Sequence, residues 1–125
     1  MTASTSIEYV EPSDINAGIV ALRLLGKITV DDLARALVRM EEALERTGRL
    51  RLFFDISAYD GLEFAALWEK LKRGGPLLSG LERVAVVGDQ RWAEWWSRVV
   101  DPLTPFVIRH FDGDERDDAA RWITG

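Results

Sequence analysis

The sequence has no cysteine, a single histidine and four prolines among its 125 residues. Without cysteine there is no disulfide framework, no thiolate nucleophile and no thiolate metal site. The histidine, His110, sits between Arg109 and Phe111 and has no adjacent acid to make an acid–base pair. No apolar run approaches the ~20 residues of a membrane span. The opening MTASTSIEYV lacks a basic segment followed by an apolar core, so no signal peptide is expected. The cytoplasm is the predicted compartment. An excess of cations is missing too: the formal net charge is −5. That argues against sequence-independent nucleic-acid binding, which draws its affinity from phosphate neutralisation, and weakens attraction to an anionic bilayer.

Catalytic signatures are equally sparse. The stretch "VVGDQ" offers one glycine, and "KRGGP" follows a helix rather than a strand, so neither makes a phosphate-cradling loop. Serine, histidine and aspartate occur without a nucleophile-elbow pattern. The acidic run "DGDERDD" (112–118) departs from a calcium loop, because Arg116 takes a ligand position and the glycine comes too early. It reads as acids gathered at a helix N-terminus. No enzyme activity, no cofactor and no metal are expected.

What is present is an ordinary globular composition, 47% hydrophobic and 30% charged, of a length suited to one domain over residues 1–125. Residues 7–11 alternate apolar and polar, as a half-buried strand does. Pro12, Ser13, Asp14, Asn16 and Gly18 mark a turn, and the aliphatic stretch 17–26 completes a hairpin. Thr29 is a predicted N-cap, with Asp31 and Asp32 in the first turn. Leu33, Ala36, Leu37, Met40, Ala43 and Leu44 recur at helical spacing before Gly48, a predicted C-cap. "LRLFFDIS" (50–57) and "LERVAVVGD" (81–89) read as buried parallel strands. "PFVIRHF" (105–111) is a fifth strand and "GDERDDAARWI" (113–123) a final helix. Two more helices are expected in between, over 62–73 and 90–100.

Four of the five tryptophans fall on those two helices. Phe64, Leu67, Trp68 and Leu71 lie at i, i+3, i+4 and i+7; Trp92, Trp95, Trp96 and Val99 repeat that spacing, with Leu103 close behind. A stripe of this kind ordinarily packs on a sheet. Tryptophan is rarely buried completely, however, and its N–H wants a partner. Where such stripes meet, they form an apolar layer able to hold a hydrophobic ligand or to touch a membrane interface. Gly74, Gly75 and Pro76 end the first helix and suit a hinge that lets it lift. Lys70, Lys72 and Arg73 form a basic rim for a lipid phosphate or a ligand carboxylate.

The order β-β-α-β-α-β-α-β-α predicts an α/β fold: a five-stranded mixed, mostly parallel sheet with about four helices. Taken in order, "GKIT" (26–29), "RLFFDISAYDGLEFAALWEKLK" (51–72), "ERVAVVGDQRWAEWW" (82–96) and "RHFDGDERDDAARWI" (109–123) resemble the SpoIIAA-like family of small stand-alone bacterial proteins, with a STAS-like fold. The resemblance implies a binding role without enzymatic activity, and a helical layer that opens over the sheet. It also implies a serine at the start of the helix after the third strand, as in anti-anti-sigma factors. Here Asp60 and Gly61 stand in that neighbourhood and Ser57 sits earlier, which argues against a phosphoserine switch. The expected function is reversible contact with an apolar small molecule or membrane lipid through residues 62–73 and 90–100, placing the protein in the cytoplasm or peripherally at the membrane. The alternative is a signalling module that contacts a protein partner or a second copy.

Overall fold

The computed structural model describes residues 7–26, 28–57, 79–88 and 106–125. Five strands form one sheet in the order β1-β2-β3-β4-β5: β1 (Ile7–Tyr9), β2 (Ile19–Leu24), β3 (Leu50–Asp55), β4 (Leu81–Val87) and β5 (Val107–Phe111). β1 pairs antiparallel with β2, and every later pairing is parallel. The mixed sheet expected from the sequence is thus observed. The hairpin turn is a short 3-10 helix, Ile15–Ala17, begun by the Asp14 side chain, which accepts a hydrogen bond from the Asn16 N–H, and closed by Gly18 at φ 75°. A methyl group on Gly18 would lie 2.7 Å from the Arg49 carbonyl oxygen. Glycine is required there by conformation and by space.

Helix α1 (Val30–Thr47) starts at a reciprocal capping box. The Thr29 Oγ1 accepts from the Asp32 N–H at 3.1 Å, and the Asp32 carboxylate accepts from the Thr29 N–H at 3.1 Å. Two of the helix's orphan donors are satisfied this way. At the other end Gly48, at φ 76°, donates its N–H to the Leu44 carbonyl, the left-handed stop expected of glycine. Ala36, Met40 and Ala43 form the buried face of α1.

Because side chains alternate across a strand, the central strand β3 feeds two cores. Leu52 and Phe54 join Leu22, Leu24, Val84 and Val86 beneath α1. Phe53 joins Ile19, Ala21, Ala85, Val87 and Phe111 on the other face, where Ala119 and Ile123 of the last helix, α2 (Arg116–Thr124), complete the cluster. α2 begins later than the sequence suggested, because Gly113–Glu115 form a separate 3-10 turn. Two α-helices, rather than about four, lie among the described residues; those expected over 62–73 and 90–100 fall outside them. Ser79 and Gly80 are helical just ahead of β4, where the sequence suggested that helix had ended by Pro76.

Candidate functional site

The most deeply placed ionisable group among the described residues is Asp55, the last residue of β3 and 2% exposed. It lies on the α2 face, beside Arg23 of β2, its partner in register. Its Oδ1 accepts from the Ser57 N–H at 3.0 Å and from the Ser57 hydroxyl at 2.6 Å. Its Oδ2 accepts from the Arg23 Nε at 3.3 Å and from the Arg116 Nε at 3.2 Å. Burial alone pushes the Asp55 carboxyl pKa up; the donors from Ser57, Arg116 and Arg23 outweigh it, so the pKa lies below the ordinary aspartate value. Arg116 also stacks over the Phe53 ring, 5.4 Å from its centroid. Arg23 shares its charge with Glu8 of β1 at 3.5 Å.

An ionised carboxylate has about four acceptor positions, and Asp55 has four donors around it. All four positions are met by the protein's own donors. These bonds tie β2, β3 and the first turn of α2 together. The far end of α2 is held as well. Arg51 donates to the Ile123 and Gly125 carbonyls at 3.0 and 3.1 Å, and Arg83 donates to the Trp122 carbonyl at 2.7 Å. Cations there complement the negative pole of the helix. Nine residues are too few for an independently stable helix, so the burial of Ala119 and Ile123 and this double anchorage together keep α2 in place.

At the carboxyl edge of the parallel strands, where open α/β sheets bind ligands, two chain exits lie side by side. The Ile56 N–H donates to the Val87 carbonyl at 2.7 Å, and the Gly88 N–H donates to the Phe111 carbonyl at 3.0 Å. A methyl group on Gly88 would lie 2.7 Å from Ile56 Cγ1, so the two exits are in close contact. Residues 58–78 follow the first exit and residues 89–105 the second. Phe64, Leu67, Trp68, Leu71, Trp92, Trp95, Trp96, Val99 and Leu103, the glycine–proline hinge Gly74, Gly75 and Pro76, and the basic rim Lys70, Lys72 and Arg73 all lie outside the described residues.

Other sequence candidates resolve plainly. His110 Nε2 is 3.1 Å from the Gly88 carbonyl oxygen. By alternation with the core residue Ile108 it sits on the α1 face, away from Ser57, so no serine–histidine pair forms. The carboxylates of Asp112, Asp114 and Glu115 come within 4.8 Å of one another. Glu115 accepts the Asp112 N–H at 2.9 Å, and it and Asp114 face solvent, as expected of acids opening a helix. A cavity of about 110 Å³ between β1 and α1, lined by Ile7, Tyr9, Asp32 and Arg35, falls short of the ~300 Å³ of small-molecule sites. Sequence reading missed the Asp55 network. Its signal, an aspartate closing an apolar strand, needs the β2–β3 register to become meaningful.

Comparison with known proteins completes the picture. The family model described as SpoIIAA-like matches residues 19–124. The chain is also similar to a crystal structure of an uncharacterized protein of the DUF3478 family with a SpoIIAA-like fold, from Shewanella loihica PV-4. That likeness has 28% identity, covers 94% of this chain and 90% of the other, and gives a TM-score of 0.65. No curated protein matches the chain significantly.

Proposed function

The chain belongs to the SpoIIAA-like family, and from that premise we propose that it is a non-catalytic interaction module whose contact surface is supplied by residues 58–78 and 89–105. The observation that supports this reading is the pair of adjoining exits at Ile56 and Gly88. Segments bearing Trp68 on one side and Trp92, Trp95 and Trp96 on the other start from neighbouring points of one sheet edge. On this reading, aromatic residues of both segments meet a common apolar partner. The saturated Asp55 carboxylate agrees with a scaffold rather than a catalyst, since its proton-accepting capacity is already used. A protein surface is the favoured partner, because the net charge of −5 opposes approach to anionic lipid.

Liposome flotation and sedimentation velocity test the reading together. Self-association, or capture by a partner chain, that weakens on Trp92→Ala or Trp68→Ala while the fold is retained supports it. Flotation with neutral vesicles, lost in the same variants, moves the partner to lipid. A blue shift of tryptophan emission on adding fatty acid moves it to a small apolar ligand, and slower uptake in Gly75→Ala then assigns the hinge. If both tryptophan variants behave as the parent in every assay, the module does not use these segments.

A further inference from the structure

A second surface is formed where β5 meets α2. Val107, Arg109 and Phe111 alternate onto the α2 face of β5, the last strand of the sheet. Val107 is 58% exposed, so this strand leaves an apolar side chain facing solvent on the face that carries Arg109. The Arg109 guanidinium lies 4.9 Å from the Phe111 ring centroid and 6.0 Å from that of Trp122. Arg83 approaches the same indole from β4 at 5.4 Å, and the Phe111 and Trp122 rings are 5.9 Å apart. Stacking fixes the plane of a guanidinium and leaves its N–H edge free for a carboxylate. Arg109 makes no hydrogen bond or ion pair with the described residues, in contrast to Arg23, Arg51 and Arg116, which all do. A pre-oriented cation with no acidic partner among the described residues, on a chain of net charge −5, offers charge complementarity to an acid.

The backbone adds a second element. The Phe111 carbonyl accepts from Gly88, the residue after β4, so the peptide groups of Val107, Arg109 and Phe111 face inward. Those of Ile108 and His110 face outward in turn, and among the described residues no strand pairs with them. We propose that the outer edge of β5, with Arg109 and Trp122 beside it, is the docking site for an acidic extended segment of a partner protein. The segment adds as a sixth strand through Ile108 and His110, sets a carboxylate on Arg109, and lays an apolar side chain over Val107 and Trp122. This combines strand addition, which supplies affinity through the main chain, with the arginine–tryptophan pairing typical of interface hot spots. It does not rest on the aromatic segments of the preceding proposal.

The test is fluorescence anisotropy of a labelled ten-residue peptide of alternating glutamate and valine, titrated with the full chain at low salt. Saturable binding is expected, weakening as salt rises. Arg109→Gln should reduce affinity by about tenfold or more. Arg46→Gln, the same charge change at a distant arginine held by Asn16, should leave it within about twofold. A peptide N-methylated along one edge should bind as poorly as the arginine variant, and Trp92→Ala should have no effect. Should Arg109→Gln lose its circular dichroism, Arg109→Lys, which keeps the charge but not the planar stack, replaces it with an expected loss of about threefold. No saturable binding, equal losses for Arg46→Gln and Arg109→Gln, or indifference to N-methylation would overturn the proposal. So would a homodimer in sedimentation that Arg109→Gln dissociates, because a second copy would then be the occupant.

Discussion

Beneath α1 the sheet presents Leu22, Leu24, Leu52, Phe54, Val84 and Val86 to a helix of eighteen residues with a cap at each end. Beneath α2 it presents a smaller apolar patch interrupted by Arg23, Arg51, Arg83 and Asp55, and the helix above has nine residues. The long helix is held by area removed from water, which is non-directional. The short one buries only Ala119 and Ile123 and is held in addition at its two ends by charge-assisted hydrogen bonds, which are directional. The comparison teaches that one sheet can fix one helix by hydrocarbon and the other by polar anchors, and that the two attachments should fail under different conditions.

Adjacent phenylalanines of β3 offer the sharpest break. Phe53 and Phe54 are buried on opposite faces, and replacing either by alanine should cost about 3–5 kcal/mol in chemical denaturation. Hydrogen exchange should separate them: Phe54→Ala should speed exchange in α1, and Phe53→Ala in α2. Next in size is Asp55→Ala, expected to cost about 2–3 kcal/mol because two guanidiniums and the Ser57 donors lose their acceptor. Its signature should be proteolysis and rapid exchange confined to α2.

The same group predicts a pH effect of known sign. The folded pKa of Asp55 is lowered, so the unfolded chain binds this proton more readily than the folded one. The stabilisation is fully present above the ordinary aspartate value of about 3.9 and is lost as pH falls through the lower folded value. Asp55→Asn should flatten the acid limb of a stability-against-pH curve, while Thr29→Ala, on the other face, should leave that contribution in place. The smallest effect is Thr29→Ala itself, about 1 kcal/mol from loss of the cap, read as a lower urea midpoint with unchanged slope. A larger loss in α2 than in α1 on Thr29→Ala would contradict the separation of the two attachments.

How much of this was legible in the sequence follows the same division. The five strands announce themselves by aliphatic runs and alternation, and α1 by Thr29, its apolar spacing and Gly48, all local signals. The start of α2 was less legible: acids from 113 onward suit either a 3-10 turn or an α-helix, and the anchoring of Arg116 on Asp55 decides where the α-helix begins. Asp55 itself stood at the end of an apolar strand with no visible partner, since Arg23 and Arg116 are distant in sequence and come together only in the folded sheet. Arg51 and Arg83 likewise read as ordinary strand arginines until the carbonyls of α2 are brought over them. The aromatic stripes over 62–73 and 90–100 remain expectations of the sequence.

Because Arg23, Asp55 and Arg116 belong to an early strand, a middle strand and the last helix, the carboxylate acquires its full set of donors only when the whole chain has assembled. Its titration is therefore a built-in reporter of completion. A truncated or half-folded species lacking the final helix would release its proton closer to the pH of a free aspartate, and a carbon-13 label at that one position would distinguish the finished protein from every partly assembled form.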